Sequence, residues 1–259
     1  MVDKNSSKVK IPKLIMQTWK TDKVPDHWKQ SQESIKSLMP GWKYVLMTDK
    51  DNRDFVVKHF PSFIECYDNF EHPIQRADAI RYMWLYIHGG LYMDLDIQLV
   101  KPVDELFYVD KDIYLVRSGN IGSVYTNAFM AAKPKQKVFL KCLDEMKKGA
   151  PFWAYGKHLT VMTSTGPLMF SRVVKRQQKE KLKYIELPRK LIMGCSVCEP
   201  KPCDVENGYC RTLQGSSWIE LDSKFYIWMY CNKEITIVIS IVIIILFILV
   251  LFLWLSNRK

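Results

Sequence analysis

The sequence predicts an α/β fold: a mixed, mostly parallel sheet flanked by helices, followed by one C-terminal transmembrane helix. Short runs rich in β-branched and aromatic residues alternate with stretches of helical periodicity, which is typical of layered α/β domains. Hydrophobic residues make up 48% of the 259 residues, enough for a substantial core. Near the end of the chain lies a run of 21 residues without a charge. One domain plus one spanning helix is therefore the predicted organisation.

The first part of the chain alternates strand and helix. Residues 11–19 (IPKLIMQTW) predict a strand that ends in a polar turn. A helix follows, because Pro25 and Asp26 are typical of a helix start and Pro40-Gly41 of a helix end. Residues 43–49 predict a second strand, and residues 62–70 a helix or a loop.

The central part contains the clearest helix, residues 72–90, with Pro73 in the first turn and Gly89-Gly90 as its C-cap. The next ten residues, LYMDLDIQLV at 91–100, predict a strand, with Asp94-Leu95-Asp96 either late in it or in the turn that leaves it. The remaining predicted elements are strands at 112–116 and 127–134, a helix at 137–148, a loop running into a helix at 165–178, and a strand at 184–188.

Residues 235–255 predict the transmembrane helix. Eighteen of these 21 residues are Ile, Leu, Val or Phe, and about 20 apolar residues span the hydrocarbon core of a bilayer. Trp254 lies where an interfacial aromatic residue belongs, and residues 256–259 form a short basic tail. Residues 1–14 contain no apolar signal segment, so we expect a tail-anchored endomembrane protein whose domain, residues 1–232, faces the cytosol.

The formal net charge of +11 favours an acidic partner such as anionic lipid or a phosphorylated ligand. No nucleic-acid-binding motif is present, so nucleic acid is not an expected partner. Residues 172–183 (RVVKRQQKEKLK) hold six basic residues and one acidic residue. They are either a lipid-contacting surface or a solvated helix face.

Four of the seven cysteines lie close together, at Cys195, Cys198, Cys203 and Cys210. The spacing C-x2-C-x4-C-x6-C is compatible with a four-thiolate structural zinc site. In a cytosolic domain metal binding is favoured over disulfides, and in a luminal domain the preference reverses. Zinc, disulfides and free thiols therefore remain open.

Asp94 and Asp96 interrupt the apolar run at residues 91–100. In a strand, both carboxylates would point to one face, with Leu95 on the other. Paired carboxylates require a compensating charge, and Mg²⁺ or Mn²⁺ binds through one or two carboxylates together with substrate phosphates. On the preceding helix Asp78 and Arg81 are three residues apart and so share a face. We expect that face to look toward the same cleft.

These residues carry a family resemblance. Residues 76–102 (RADAIRYMWLYIHGGLYMDLDIQLVKP) resemble the central signature of family 32 glycosyltransferases, the DXD-containing sugar transferases. That family includes α-1,6-mannosyltransferases and the catalytic subunits that mannosylate inositol phosphoceramide. A more distant resemblance is to the glucosylating bacterial toxins. Supporting matches are IPKLIMQTW, WKYVLMTD, NAFMAAKP, TGP and GSSW, so the resemblance spans most of residues 11–220.

The resemblance implies a GT-A-like, Rossmann-type fold and a set of functional residues. It implies that Asp78 and Arg81 hydrogen-bond the donor sugar and its phosphate. Tyr92 would support the diphosphate or the sugar. Asp94 would contact ribose and sugar and help to hold the metal, which Asp96 would ligate directly.

The donor pocket is completed, by the same resemblance, with residues from other parts of the chain. Trp19 would stack on the nucleotide base, and Asn127 would line the pocket. Ser216 or Ser217, with Trp218, would close over the diphosphate from a C-terminal loop. The chain departs from the family pattern at Met16, where a histidine is usual, and lacks the histidine that often precedes the GSW element.

The implied activity is a metal-dependent, retaining transfer of a hexose, with mannose favoured. The donor would be GDP-mannose or a UDP-hexose, with Mn²⁺ or Mg²⁺ as cofactor. The acceptor would be a lipid such as inositol phosphoceramide, or a glycan. A regulatory membrane subunit and an ER or Golgi location are further expectations. Because two family histidines are missing, the alternative is a non-catalytic nucleotide-sugar or lipid-binding membrane protein on the same scaffold.

Overall fold

The structure is a computed structural model of the whole chain, and it describes residues 9–118, 124–193, 197–199, 208–215 and 217–256. The chain forms two compact units, Met1–Trp218 and Ile219–Lys259. The predicted cysteines Cys195 and Cys203, together with Ser216, lie outside the described residues.

The first unit begins with β1 (Leu14–Thr18), α1 (Asp26–Leu38) and β2 (Lys43–Met47), which confirms the predicted order. An additional helix, α2 (Asp49–His59), follows directly and was not predicted. Its start is encoded locally, because Thr48 and Asp51 form a reciprocal capping box. The α2 sequence is mostly polar and shows no clear hydrophobic periodicity, so the capping residues are the feature from which the helix could have been predicted.

A short 3-10 helix (Pro61–Phe63) and α3 (Ile64–Asp68) lead to the long helix α4 (Pro73–His88) and to β3 (Gly90–Met93). The turn between α4 and β3 requires glycine. Gly89 and Gly90 have φ values of 66° and 87°, and a Cβ at Gly90 would lie 2.5 Å from the carbonyl oxygen of Leu14. The chain therefore enters the sheet immediately after α4.

The strand predicted over residues 91–100 is interrupted, and the alternative of a turn at Asp94–Asp96 is confirmed. β3 ends at Met93, Asp94–Asp96 form a turn, and β4 (Ile97–Leu99) begins a separate ladder. The amide of Ile97 donates to the carbonyl oxygen of Asp94 at 3.1 Å and closes that turn. The chain changes sheet here because β4 pairs with a distant strand, which local sequence does not reveal.

The rest of the first unit alternates helices and strands. The elements in chain order are a 3-10 helix (Asp104–Phe107), β5 (Ile113–Val116), β6 (Phe129–Ala132), α5 (Lys137–Met146), α6 (Gly156–Ser164), α7 (Pro167–Gln178), β7 (Tyr184–Leu187), α8 (Arg189–Ile192) and β8 (Cys210–Thr212). The strands at 112–116, 127–134 and 184–188 and the helices at 137–148 and 165–178 are thereby confirmed, whereas α6, α8 and β8 were not predicted.

Six strands form the main sheet in the order β2-β1-β3-β6-β5-β7, and β4 pairs with β8 in a two-stranded sheet. The pairs β1–β2, β1–β3 and β5–β7 are parallel, and the two pairs made by β6 are antiparallel. The mixed, mostly parallel sheet is thus confirmed. Alternate strand residues face opposite sides: Met16 and Tyr92 pack with α4, α5 and α7, and Ile15 and Leu91 with α1.

The second unit contains α9 (Leu221–Cys231) and α10 (Lys233–Ser256). α10 is the one helix of the described residues that is long and apolar enough to cross a membrane, by length and composition. It includes the predicted span, residues 235–255.

The described cysteines do not support the four-thiolate zinc site. Cys198 and Cys231 are disulfide-bonded, so the sulfur of Cys198 cannot serve as a thiolate ligand. Cys210 is a free, buried thiol in β8, and burial raises its pKa. The cysteine spacing alone could not distinguish a zinc site from disulfides, because it suits both equally well.

Candidate active site

The predicted site residues converge where several strands end. β1, β2 and β3 run parallel, so their carboxyl ends lie at one edge of the sheet. Trp19 follows β1, and Asp94 follows β3. β6 is antiparallel to β3 and pairs Phe129 with Met93, which brings Asn127 to the same edge. In open α/β sheets this edge is where ligands bind.

Arg81 is the centre of a buried polar group of side chains that we call the Arg81 cluster; it comprises Asp78, Arg81, Tyr92, Asp94 and Asn127. The guanidinium lies 3.2 Å from a carboxylate oxygen of Asp78 and 3.2 Å from one of Asp94. It also donates to the carbonyl oxygens of Ala77 and Asn127, and its carbon lies 4.6 Å from the centre of the Tyr92 ring. The arrangement uses the planar fork of arginine almost completely.

The charge on Arg81 is fixed by its neighbours. Burial opposes the charged form, but the negative charges of Asp94 and Asp78 raise the pKa of Arg81 overall. The side chain is therefore a permanent cation, 4% exposed, between two carboxylates. This confirms the expectation that the polar face of α4 looks toward Asp94.

Asp78 is held on both oxygens. Asn127 Nδ2 donates to Oδ1 at 2.9 Å, and Thr165 Oγ1 donates to Oδ2 at 2.8 Å. Burial raises the pKa of Asp78, and the charge of Arg81 opposes that shift. With a side chain only 5% exposed, Asp78 acts in this structure as a support for Arg81. Its predicted contact with the donor sugar stays a prediction.

Asn127 and Tyr82 connect the cluster to the helices behind it. Asn127 is 4% exposed, and its amide also donates to Tyr82 Oη at 3.1 Å. Tyr82 Oη donates in turn to the carbonyl oxygen of Thr165 at 3.1 Å. Tyr82 and Thr165 were not assigned roles from the sequence, although the TGP match marked the segment of Thr165. Asn127 positions Asp78 here, and its place in the donor pocket stays a prediction.

Asp94 joins the buried cluster to solvent. Its side chain is 30% exposed, and Tyr92 Oη donates to its Oδ1 at 2.5 Å. Its backbone is fixed as well, because the amide donates to the carbonyl oxygen of Ala128 and its own carbonyl oxygen accepts from Gln17 Nε2. Gln17 is fully buried, and sequence reasoning missed it. Arg81 and Tyr92 both contact Oδ1 of Asp94. The Arg81 cluster therefore reaches solvent through the exposed part of the Asp94 side chain.

Asp96 lies two residues further, on the same turn. Asp94 and Asp96 are half-buried, whereas Leu95 between them is buried, so the predicted alternation holds even though the segment is a turn. The described residues contain no group of three or more His, Cys, Asp and Glu side chains able to hold a metal. Two carboxylates nevertheless suit Mg²⁺ or Mn²⁺, which takes its remaining ligands from water and substrate phosphates.

The other side of the turn is apolar. Trp28 and Leu213 pack with Leu95, and Trp19 packs against them; we call these four residues the tryptophan wall. The rings of Trp19 and Trp28 meet edge to face with centroids 5.0 Å apart. Trp19 is half-buried. Its placement beside the acidic turn suits the predicted stacking on a base.

The segment after β8, residues 213–215, contacts the acidic turn and helix α1. The amide of Leu213 donates to the carbonyl oxygen of Asp96 at 2.7 Å, and Trp28 Nε1 donates to the carbonyl oxygen of Gln214 at 3.0 Å. Gly215 has a φ of 103°, and a Cβ there would meet His27 Nε2 at 3.2 Å. The segment is thus seated on α1, and neither His27 nor Trp28 was assigned a role from the sequence.

Ser217 and Trp218 are less closely tied to the site. Ser217 is exposed. Trp218 stacks on His158 of α6 with centroids 5.5 Å apart and planes 13° from parallel. α6 ends at Ser164, next to Thr165, which donates to Asp78. The predicted roles of Ser217 and Trp218 at the diphosphate stay predictions.

Known proteins share both the sequence and the fold. A family model described as a glycosyltransferase sugar-binding region containing the DXD motif matches residues 25–126. A mannosyl phosphorylinositol ceramide synthase of Saccharomyces cerevisiae (SUR1) is 36% identical over 169 residues, covering 65% of this chain and 43% of that protein. Inositol phosphoceramide mannosyltransferase 1 of Schizosaccharomyces pombe is 30% identical over 231 residues, covering 87% of this chain and 67% of that protein.

The chain spans only 54% and 64% of the length of two further curated relatives. Among solved structures, the UDP-bound glycosyltransferase domain of the YGT toxin matches with a TM-score of 0.52 and 7% identity, covering 70% of this chain and 80% of that one. The likeness confirms the predicted glycosyltransferase fold.

Proposed function

Because this chain belongs to the DXD-containing glycosyltransferase family, we propose that it transfers a hexose from a nucleotide-diphosphate sugar to an acceptor hydroxyl. The observation that carries the proposal is the Arg81 cluster. A permanently charged guanidinium fixes one carboxylate of an acidic pair, at the sheet edge where α/β folds bind ligands. The acidic turn is therefore preorganised, which is the property that electrostatic catalysis requires.

The chemistry exchanges one bond at the anomeric carbon of the donor. The bond from that carbon to the diphosphate oxygen breaks with its electron pair on the diphosphate, and the acceptor oxygen bonds to the carbon. The acceptor proton goes to the leaving diphosphate on the same face, so the configuration is retained. No further carboxylate is assigned as a nucleophile, and the residues of this chain bind and orient the reactants.

Asp94 and Asp96 are the residues that would hold Mn²⁺ or Mg²⁺. A divalent cation supplies charge stabilisation for the diphosphate that departs. Arg81 and Tyr92 keep Asp94 oriented toward the cleft. The tryptophan wall would seat the nucleotide base, with Trp19 as the stacking surface.

Mannose is the proposed sugar and GDP-mannose the first donor to test, followed by UDP-hexoses. The proposed acceptor is an inositol phosphoceramide-type lipid, because relatives that match most of this chain are named for mannosylating that lipid. The candidate spanning helix α10 supports a membrane-bound acceptor. A regulatory membrane subunit is part of the same proposal.

The domain is proposed to face the lumen of the ER or Golgi. Disulfides persist in oxidising compartments and are rare in the cytosol, and Cys198 and Cys231 are both disulfide-bonded. This reasoning reverses the cytosolic orientation expected from the absence of a signal segment. Protection of the domain from added protease in sealed microsomes is the expected result, and digestion without detergent would contradict it.

The second candidate function is nucleotide-sugar or lipid binding without catalysis. It is favoured by Met16, which is fully buried in the sheet where family members usually carry a histidine. A buried methionine offers neither a proton nor a metal ligand at that position.

One assay separates the two functions. The full chain, solubilised in mild detergent with Mn²⁺ and an inositol phosphoceramide acceptor, is incubated with GDP-mannose and with UDP-hexoses, and mannosylated lipid and free nucleotide diphosphate are measured. We expect acceptor-dependent release that Asp96→Asn abolishes and Asp54→Asn, an exposed carboxylate paired with Lys50, leaves intact. Donor binding without release would support the second function, and release unaffected by Asp96→Asn would overturn the first.

A further inference from the structure

We propose that residues 151–155, which we call the aromatic loop, dock on an anionic bilayer surface. The loop joins α5 to α6 and presents Phe152, Trp153 and Tyr155 to solvent with relative exposures of 90%, 51% and 76%. Exposed large hydrophobic side chains elsewhere in the described part of residues 9–218 are single valines, Val57, Val100 and Val197. Scattered valines are ordinary, whereas three adjacent aromatic rings mark an interaction surface.

The loop is held in shape by its own backbone and by α6. The amide of Ala154 donates to the carbonyl oxygen of Pro151 at 2.9 Å. Thr160 Oγ1 donates to the carbonyl oxygen of Ala154 at 3.2 Å. The aromatic rings are thus displayed from a closed turn, and a preformed surface loses little conformational entropy on binding.

Charge complementarity selects the bilayer as the occupant. Lys147 and Lys148 lie four and three residues before the loop begins, and Lys157 lies two residues after it ends. Tryptophan and tyrosine are the residues enriched at the membrane interface, and lysines beside them reach anionic head groups. For a domain that faces the lumen, as proposed above, these are the head groups of acidic lipids in the luminal leaflet, such as the phosphoinositol group of the proposed acceptor.

The nearest ion-pair network keeps this surface positive. Glu145 at the end of α5 is contacted by Lys148, Arg172 and Arg176, with Nζ or guanidinium nitrogens 2.5, 3.7 and 2.6 Å from its oxygens. One acid thus meets three cations, which leaves a net charge of +2. The two arginines belong to the basic segment 172–183, and their pairing with Glu145 places the start of that segment beside the end of α5.

Helix α6 connects the aromatic loop to the candidate active site. It has nine residues, which corresponds to a length of roughly 13 Å. Its far end passes directly into Thr165, which donates to Asp78. Docking of the loop would therefore place lipid head groups at one end of a helix whose other end adjoins the Arg81 cluster. The proposal concerns a binding surface and does not rest on sugar transfer.

The test uses the full chain reconstituted in vesicles of phosphatidylcholine and phosphatidylserine, a fraction of the phosphatidylcholine being brominated on acyl carbons close to the head group. Trp153→Phe keeps an apolar ring and removes one of the eight tryptophans. The emission of wild type minus that of Trp153→Phe isolates Trp153 and cancels the other seven, including Trp254. We expect this difference emission to be quenched by the brominated lipid and to be shielded from iodide present on both sides of the vesicles.

Two further variants separate docking from a general change in the protein. In each of them the Trp153 emission is again obtained by subtracting the emission of the same variant carrying Trp153→Phe. Phe152→Ser should roughly halve the quenching of Trp153 by brominated lipid, because apolar area sets interfacial affinity. Val57→Ser, at a site in α2 that is 47% exposed, should leave it unchanged. Replacing phosphatidylserine by phosphatidylcholine should weaken the quenching.

Each remaining outcome overturns the proposal. Difference emission that iodide quenches and brominated lipid does not would show a loop in water. Emission shielded from both quenchers would show a loop covered by protein, either a partner or a second copy of this chain. Because the readout is fluorescence, neither result says whether the protein transfers sugar, which the activity assay tests separately.

Discussion

The two sides of the acidic turn are built on opposite physical principles. On one side the Arg81 cluster holds Asp94 through charge and directed hydrogen bonds, and its other two charged members, Asp78 and Arg81, are buried. On the other side, in the tryptophan wall, Leu95 and Leu213 pack with the indole rings of Trp28 and Trp19. A charged cluster in low dielectric depends on every member, because the loss of one leaves another charge unpaired. An apolar wall depends on volume and tolerates conservative exchange.

The comparison predicts that Arg81 is the most sensitive position. Arg81→Met keeps much of the side-chain length and leaves Asp78 and Asp94 without their cation. Breaking a buried ion pair in this way destabilises proteins by about 3–5 kcal/mol. We expect the thermal unfolding midpoint, followed by near-ultraviolet circular dichroism in detergent, to fall sharply and transfer activity to disappear.

The matched control for that substitution is Arg53→Met. Arg53 pairs with Asp68 at 2.8 Å on an exposed surface, where ion pairs contribute little. Stability close to that of wild type is expected. Equal losses in the two variants would show that burial of the Arg81 cluster has no special energetic role.

Tyr92 tests the cluster more finely. Tyr92→Phe retains the ring against Arg81 and removes the hydroxyl that donates to Asp94. A hydrogen bond to a charged group contributes roughly 1.5–3 kcal/mol, so we expect kcat/KM to fall at least about tenfold and the Mn²⁺ concentration for half-maximal activity to rise. Tyr209→Phe removes a comparable hydroxyl from Glu105 away from the site and should change neither quantity. A Mn²⁺ requirement that stays the same in Tyr92→Phe would contradict the role of Tyr92 in orienting Asp94.

The same contrast explains what the sequence could predict. The three-residue spacing of Asp78 and Arg81 and the apolar frame of the acidic pair are local patterns, and both indicated one cleft. Gln17 and Thr165 contact the cluster from 77 and 87 residues away, and a lone buried glutamine or threonine carries no periodic signal. The separate strand β4 escaped prediction for the same reason, because it is defined by its pairing with β8.

Trp19 tests whether the tryptophan wall is a binding surface. Stacking of a base on an aromatic side chain contributes about 1–3 kcal/mol, so Trp19→Leu should raise the KM for the nucleotide sugar roughly tenfold and change kcat little. Protein stability should fall only slightly, because Trp19 is half-buried and apolar volume is largely kept. A fall in kcat at an unchanged KM would contradict base stacking and would show that Trp19 acts in the chemical step.

Trp28 should show the smallest effect, because most of its contribution is volume. Trp28→Phe preserves an aromatic ring against Leu95 and removes one hydrogen bond, from Nε1 to the carbonyl oxygen of Gln214. We expect a loss of about 1 kcal/mol in the free energy of unfolding and a small rise in donor KM, since that bond seats the segment after β8. Trp42→Phe is the comparison variant: it loses the bond from Nε1 to the carboxylate of Asp104 at 3.0 Å, and a bond to a charged acceptor contributes more, roughly 1.5–3 kcal/mol. A KM change confined to Trp28→Phe, together with the larger stability loss in Trp42→Phe, would mean that the segment after β8 shapes the donor pocket. A KM change in both variants would instead show that Trp28 affects donor binding only through general packing.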